Sequence, residues 1–207
     1  MSQLCSDLKT QTPCRKIDSL SSDSALALLA KKGNDEAFSL LLVRYRDRIY
    51  ATLFGLTGDR DISEDLLQDV SLKAHLSIHR FRGESQFYTW FYRVAVNRWK
   101  DWRISRGRRR EDILDEVVDR TPGGHRTDAR VENAELRDLL GQALQELPDT
   151  WRQVIVLREI DGLTYEEIGQ ALLCSIGTVK SRLFRARGML RDILIREHKE
   201  LGRSYNS

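Results

Sequence analysis

Apolar residues recur along most of this chain at steps of three and four, the period of an α-helix that buries one side. From Asp35 to Leu53 the positions Phe38, Leu41, Leu42, Tyr45, Ile49 and Leu53 follow that step, and Gly55 and Gly58 then break it. The pattern predicts a second helix from about Ile62 to His79, with Asp61 or Ser63 as its N-cap. A short connector, Phe81-Arg82-Gly83-Glu84-Ser85, leads into a third helix of roughly Gln86–Ser105. Gly107-Arg108-Arg109-Arg110 and a charged stretch containing Pro122-Gly123-Gly124 then read as an interdomain linker. A second helical block begins near Val131. Its stripe of Leu136, Leu139, Leu140, Ala143, Leu144 and Leu147 stops at Pro148, and a helix over Trp151–Ile160 ends at Asp161-Gly162. Two short helices follow. Apolar/polar alternation between Asn-Gly turns, the mark of strands, is absent from the sequence. The expected fold class is all-α, in two small helical domains joined by a flexible linker: a tail at 1–22, domains at 23–108 and 132–203, and the linker at 109–131.

Charge sharpens this division. The net charge is only +3, but residues 80–110 hold ten Arg/Lys against two Asp/Glu, residues 111–135 hold eight acids against three bases, and residues 178–203 hold eight bases against three acids. Two basic blocks separated by an acidic stretch suggest two polyanion contacts, the alternative being solvated helix faces. Cys5, Cys14 and Cys174 are odd in number and lack metal-ligand spacing, which points to reduced thiols in the cytoplasm. Residues 1–22 are polar and Ser/Thr-rich, without the apolar core of a signal peptide, and runs such as Ala25–Ala30 are far too short to span a membrane. No membrane insertion and a cytoplasmic location are expected.

The clearest motif lies near the C-terminus. Thr164 and Glu167 have the spacing of a capping box, in which each side chain satisfies the other's backbone N–H. Ser175 can cap a second helix after a tight turn, giving a helix-turn-helix pattern. At 100° per residue, Ile176, Val179, Leu183, Ala186 and Leu190 fall on the inward side of that second helix, and Thr178, Ser181, Phe184 and Arg185 fall opposite, flanked by Lys180 and Arg182. In a major groove an Arg can bond two acceptors of one guanine, Ser and Thr can meet bases or phosphates, and Phe can meet a thymine methyl. Lys180 and Arg182 are better placed for phosphates, which fix position without reading sequence.

The third helix divides in the same way. Phe87, Trp90, Phe91, Val94 and Ala95 lie on one side, and Tyr92, Arg93, Val96, Trp99, Lys100 and Arg103 lie on or near the other. Interleaved bases and aromatics suit single-stranded or melted nucleic acid, where cations follow phosphates and rings stack on bases. The same spacing serves equally well if Trp99 and Tyr92 cover a second hydrophobic surface. The Phe81–Ser85 connector also has two readings: a bend made by Gly83 with Ser85 capping the next helix, or a polar loop that holds an extruded base. Asp61, Glu64, Asp65 and Asp69 share a face of the second helix. With no histidine or second acidic helix beside them, they suit a solvated face or a docking surface rather than a metal site. No phosphate loop, catalytic Ser/His/Asp set or zinc motif is present, and His75, His79, His125 and His198 are scattered and expected to face solvent. Neither a catalytic residue, a metal nor a cofactor is expected.

Taken together, these segments resemble the sigma-70 family, and within it the small extracytoplasmic-function (ECF) group of the sigma-E type. Gly33–Phe38 looks like that group's opening helix. Asp61–Val70 resembles its polymerase-binding segment, Phe81–Asn97 its −10 segment, and Gly177–Arg187 its −35 recognition helix. The likeness covers about residues 23–197. It implies a region 2 domain and a region 4 domain, with no room for the domain that lies between them in housekeeping sigma factors. It implies that Asp65, Gln68 and Asp69, with Asp61 and Glu64 beside them, dock on the clamp helices of the large polymerase subunit. It implies that the loop of Phe81, Arg82, Gly83, Ser85 and Phe87 captures a flipped base, and that Lys180, Ser181, Phe184 and Arg185 read the −35 element. The implied partners are core RNA polymerase (clamp helices and flap), promoter DNA and an anti-sigma factor. The competing reading is a regulator that uses the helix-turn-helix alone, without being a polymerase subunit. A third is a metal-dependent nucleic-acid enzyme built on the acidic helix.

Overall fold

The computed structural model describes residues 22–112 and 131–204, with side chains over 22–106 and 139–197. The expected tail and the centre of the expected linker, 113–130, lie outside the described residues. Among the described residues every regular element is helical.

Among the described residues the N-terminal half has four α-helices and one 3-10 turn. The first, α1 (Asp23–Lys31), was not singled out by the sequence pattern; Ser22 caps it by accepting from the Ala25 N–H, and Leu26, Ala27 and Ala30 are buried. Its Asp23 carboxylate accepts hydrogen bonds from Arg44 and Tyr45 of α2 (Asp35–Thr57), which ties the short helix to the long one. Asn34 caps α2 through the Ala37 N–H at 2.8 Å. Helix α2 runs through Gly55 and ends only at Gly58, whose φ of 69° lies in the left-handed region that glycine adopts at little cost. Helix α3 spans Arg60–Ser77. Its cap is Asp59, which accepts from the Ile62 N–H, and neither Asp61 nor Ser63 takes that role. Ser63 is buried instead, its hydroxyl 2.7 Å from that of Thr57. A 3-10 turn over Ile78–Arg80 and the Phe81–Gln86 connector lead to α4 (Phe87–Asp112), which carries helix beyond the expected end into the start of the expected linker. Phe38, Leu41, Ile49, Leu53, Leu66, Val70, Phe87, Phe91 and Ala95 form the core of this half.

In the C-terminal half, α5 (Val131–Glu146) and α6 (Asp149–Ile155) meet at Pro148. The chain then widens into a π turn over Val156–Ile160, closed by the Asp161 N–H on the Val156 carbonyl. Helices α7 (Tyr165–Leu172) and α8 (Ile176–Ser204) complete it. Ala143, Leu144, Leu147, Val154, Leu157, Leu163, Ile168, Val179 and Leu183 are its core. Full burial of each Leu, Val or Ile contributes about 1.5–3 kcal/mol.

The two halves are packed against each other rather than apart. The π turn lies on α2 at Gly55, where an added Cβ would come within 2.8 Å of Ile160 and 3.0 Å of Val156. Arg152 is 1% exposed and donates to the carbonyls of Leu144, Gln145 and Leu147 in its own half and to that of Leu56 on α2. A guanidinium is needed here because five donors in a fixed plane can serve several carbonyls at once.

Candidate nucleic-acid interface

The helix-turn-helix is built as its caps predict. Thr164 and Glu167 form the reciprocal capping box, and Ser175 accepts from the Thr178 N–H at 3.2 Å. Between the helices Leu173 takes a left-handed φ of 54°, and the Cys174 N–H donates to the Gly169 carbonyl at 3.0 Å. Gly169 allows this approach, since a Cβ there would stand 2.9 Å from the Cys174 carbonyl oxygen. On α8, Val179, Leu183 and Ala186 are buried and Leu190 is half-buried, while Ile176, expected inward, is 40% exposed because it begins the helix beside the turn. Lys180, Ser181, Phe184 and Arg185 are exposed, Phe184 at 81%. Thr178 and Arg182 are half-buried, and the Thr178 hydroxyl lies 2.9 Å from that of Ser175, so Thr178 belongs partly to the cap. A large aromatic ring held in water next to Arg and Lys has no packing reason for its exposure within the chain.

The −10 candidates fall into two groups. Arg82 and Gly83 are exposed at the tip of the connector, Gly83 with φ 75°, and Phe81 and Ser85 are half-exposed. The Ser85 hydroxyl donates to the Gln86 carbonyl at 3.3 Å, so it is not the expected cap of α4. Phe87 is a core residue, 2% exposed among Phe81, Trp90, Phe91 and Tyr45, and anchors the loop rather than presenting a surface to a base.

The expectation that Tyr92, Val96 and Trp99 lie on an outward face is corrected: they are 0%, 1% and 1% exposed. With Arg103 they make one stripe at helical spacing, and both ends of it meet the C-terminal half. The Tyr92 hydroxyl donates to Asp161 at 3.0 Å, and Arg103 pairs with Asp149 at 2.8 Å. Of the two sequence readings, the covering of a second hydrophobic surface is the one realised in this arrangement. Arg93 and Lys100 stay half-exposed beside the stripe.

Burial drives the Tyr92 hydroxyl far up from its ordinary pKa, with Asp161 adding to the shift. Burial likewise raises Asp161 to about 6, against the opposing pull of Thr52, Tyr92 and Arg48. On the neighbouring turn of α4, Tyr88 donates to Glu167 of α7 and is raised to about 12 by burial and by that carboxylate. Burial opposes ionisation of Glu167, but the bonds from Tyr88 and Thr164 outweigh it and the carboxyl is lowered.

On α3, Asp61, Glu64, Asp65, Gln68 and Asp69 are all exposed, and Asp69 accepts from Arg98 Nε at 3.0 Å. Their face continues through Leu72 and Leu76, 60% and 65% exposed, at steps of seven and eleven from Asp65. Sequence reading passed over these leucines, although their register was available. Among the described residues no group of His, Cys, Asp and Glu could hold a metal, and no helix is long and apolar enough to cross a membrane. His75 and His79 are both exposed, the His75 ring lying 4.9 Å from that of Phe38.

Comparison with known proteins now assigns the two halves. Residues 41–110 match the family model for sigma-70 region 2, and residues 137–190 match that for sigma-70 region 4. The ECF RNA polymerase sigma-E factor of Haemophilus influenzae is 39% identical over 82% of this chain and 94% of its own length. Among solved structures, CnrH in complex with the cytosolic domain of CnrY aligns with TM-score 0.64 and 26% identity over 86% of this chain and 97% of that one. The sigma factor RpoE of Bartonella quintana, solved with the anti-sigma factor NepR, aligns with TM-score 0.61 and 28% identity over 76% of this chain and 96% of that one. The chain belongs to the sigma-70 family, as an ECF sigma factor of the sigma-E kind. The reading as a helix-turn-helix regulator acting alone is not favoured, because the N-terminal half carries a region 2 match of its own.

Proposed function

We propose that this chain is the promoter-specificity subunit of a bacterial RNA polymerase, reading the −35 element as duplex through α8 and the −10 element as opened strand through α4 and the Phe81–Ser85 loop. The observation that carries the reading is the division of α8: Val179, Leu183 and Ala186 are buried, while Lys180, Ser181, Phe184 and Arg185 stand in solvent on the opposite side. Arg185 is the base reader, Phe184 the apolar contact, and Lys180 and Arg182 the phosphate contacts. On α4 and its loop, Arg82, Arg93, Lys100 and Arg103 follow phosphates, and Tyr92 and Trp99 stack on bases once uncovered.

The acidic face of α3, from Asp61 to Asp69, docks on the clamp helices, with Leu72 and Leu76 adding apolar contact. The groove of about 810 Å³ lined by Ile155, Leu190, Leu194 and Ile195 suits an apolar partner segment such as the polymerase flap. An anti-sigma factor is the expected antagonist, since CnrH and RpoE were each solved with a bound partner protein. The protein acts in the cytoplasm, in an envelope or stress response, and carries out no catalysis of its own. Flipping a base out of the stack costs a few kcal/mol, and two weak DNA contacts held on one polymerase gain from effective concentration. Promoter binding by the free chain is therefore weak. Transcription in vitro tests the reading: core polymerase plus this chain initiates at specific sites that polymerase alone does not use. Tight, specific promoter binding by the chain alone contradicts the mechanism.

A further inference from the structure

A cavity of about 340 Å³ lies beside the Phe81–Ser85 connector, walled on one side by arginines of the N-terminal half and on the other by Gln170 and Leu173 of the helix-turn-helix. We propose that this cavity is a binding site for a free purine nucleoside diphosphate, with its phosphates on Arg80, Arg82 and Arg93 and its base between Phe81 and Leu173. The site goes beyond promoter recognition and does not depend on it.

Size and charge select the ligand. Cavities that hold small molecules run from about 300 to 1,000 Å³, so this one suits a single nucleotide. Its walls carry three arginines against one carboxylate, Glu84. Glu84 lies 3.8 Å from Arg82 in a solvent-exposed pair, the weak kind of contact that a phosphate displaces. Arg80 bonds only its neighbour His79, through Nε at 3.3 Å, and keeps both terminal nitrogens. Arg93 is half-exposed and has no ion-pair or hydrogen-bond partner among the described residues. Each guanidinium presents a planar fork that meets phosphate oxygens two at a time. The larger groove on the other side of the connector carries Glu166 and Glu167 as well as Glu84, against Arg82 and Lys31, and repels an anion. The phosphates therefore belong in the smaller cavity.

Two apolar residues place the base. Phe81 is half-exposed, and the rings of Phe87 and Trp90 meet it at 80° and 55°, so neither stacks flat on it. A purine covers such a ring with more area than a pyrimidine does. Leu173 is 75% exposed and holds a left-handed φ of 54°. A lone exposed leucine needs no explanation, but one kept in a strained turn that glycine makes freely does. An apolar ligand face against it supplies that explanation. Gln170, exposed beside it, carries an amide that both donates to and accepts from a base edge. A base with its phosphate also occurs within an opened DNA strand. A strand continues on both sides of every nucleotide and has to leave the cavity twice, past Gln170 and Leu173, whereas a free nucleotide ends there.

Calorimetric titration of the full chain with ADP, CDP, adenosine and pyrophosphate tests the site. ADP should bind saturably at one site, CDP about threefold more weakly, and adenosine and pyrophosphate about tenfold more weakly, since each lacks one part of the ligand. Arg93→Ala should lower ADP affinity about tenfold by removing one forked phosphate contact. Leu173→Gly should lower it about threefold, and because glycine relaxes that turn, misfolding does not explain the loss. Lys180→Ala with Arg185→Ala, which removes two cations of α8 outside the cavity, should leave ADP binding unchanged. A labelled single-stranded DNA forms the second arm, and Leu173→Gly should leave its affinity unchanged. The site is overturned if ADP does not bind, if pyrophosphate binds as well as ADP, or if the α8 double variant loses as much as Arg93→Ala. It is equally overturned if Leu173→Gly weakens the DNA and not ADP, which assigns the cavity to the opened strand. Promoter-specific transcription with core polymerase is scored separately, and its failure removes the functional reading and not the nucleotide site.

Discussion

Thr52 and Asp161 lie 109 residues apart and meet at 2.6 Å, and the same Thr52 hydroxyl lies 3.0 Å from the Arg48 carbonyl. A hydroxyl has one proton to donate. With Asp161 ionised, Thr52 must choose between the carboxylate and the carbonyl. With Asp161 protonated, the acid donates to Thr52, Thr52 donates to Arg48, and Tyr92 still donates to the other carboxyl oxygen.

That network sets the direction of a pH effect. Burial raises Asp161 to about 6 in the closed arrangement, with Thr52, Tyr92 and Arg48 pulling the other way. Closing the halves therefore takes up a proton between the ordinary carboxylate value and about 6. The closed state gains as pH falls through 6, and the gain is complete once the carboxyl would be protonated in the open state too. Tyr88 and Tyr92, on α4, are shifted upward and change no charge in that window, whereas Glu167, on α7, is lowered by its bonds from Tyr88 and Thr164 and opposes the gain only as pH nears the ordinary carboxylate value. The distance between spin labels at Asp47→Cys on α2 and Asp192→Cys on α8, in a full chain whose own cysteines are replaced by Ser, should narrow between pH 7 and 5, and Asp161→Asn should flatten the response. Opening on acidification would contradict the assignment.

Arg152 makes the opposite kind of polar contact, a buried cation that donates to four carbonyls and lies 3.8 Å from the Asp149 carboxylate. Burial lowers its pKa to about 10, which leaves it charged at neutral pH. Arg152→Met leaves the carbonyls of Leu144, Gln145, Leu147 and Leu56 without that donor, and about 3 kcal/mol of stability should be lost in urea unfolding. Arg152→Lys should lose nearly as much, since an ammonium cannot span the same carbonyls. A loss below about 1 kcal/mol, the net worth of one ordinary hydrogen bond, would mean that water replaces the guanidinium.

Much of the molecule is legible in its sequence, and the parts that are not share a cause. The Thr164–Glu167 capping box, the Ser175 cap and the split of α8 follow from residues within a few positions of each other, so spacing alone finds them. The α4 stripe is different. Spacing places Tyr92, Val96 and Trp99 on a common face, but whether that face meets solvent or another surface depends on contacts with residues some sixty to seventy positions away, such as Asp161. The Asp59 cap was missed because Asp61 and Ser63 have the same chemistry two and four residues later. Helix α1 was missed because its Ala- and Leu-rich run is short and gains its partners, Arg44 and Tyr45, only on α2.

The acidic face of α3 should behave as a docking surface that is independent of DNA reading. Asp65→Lys with Asp69→Lys, both at exposed positions, should weaken binding of core polymerase and leave −35 duplex binding by the full chain unchanged. Asp69 also pairs with Arg98, so Asp65→Lys alone separates docking from the loss of that intramolecular bridge. An equal loss in both assays would remove α3 from the docking role. Exposed ion pairs contribute about 0–1 kcal/mol each, so the stability of the fold should barely change.

Arg185, on the outward face of α8, and Lys180, which flanks that face, are both exposed but should differ in what they read. An Arg that bonds two acceptors of one guanine discriminates that base from the others by about 1–3 kcal/mol. Arg185→Ala should therefore lose affinity at one position of the −35 element and leave the preference elsewhere intact. Lys180→Ala should weaken all duplexes alike and reduce the slope of binding against salt by about one ion. Both side chains are exposed, so neither change should disturb folding. Binding measured against a set of single-base −35 variants, at two salt concentrations, separates the two patterns. If Arg185→Ala gives the uniform, salt-linked loss instead, then Arg185 is a phosphate contact, and base reading on this face passes to Ser181 and Phe184.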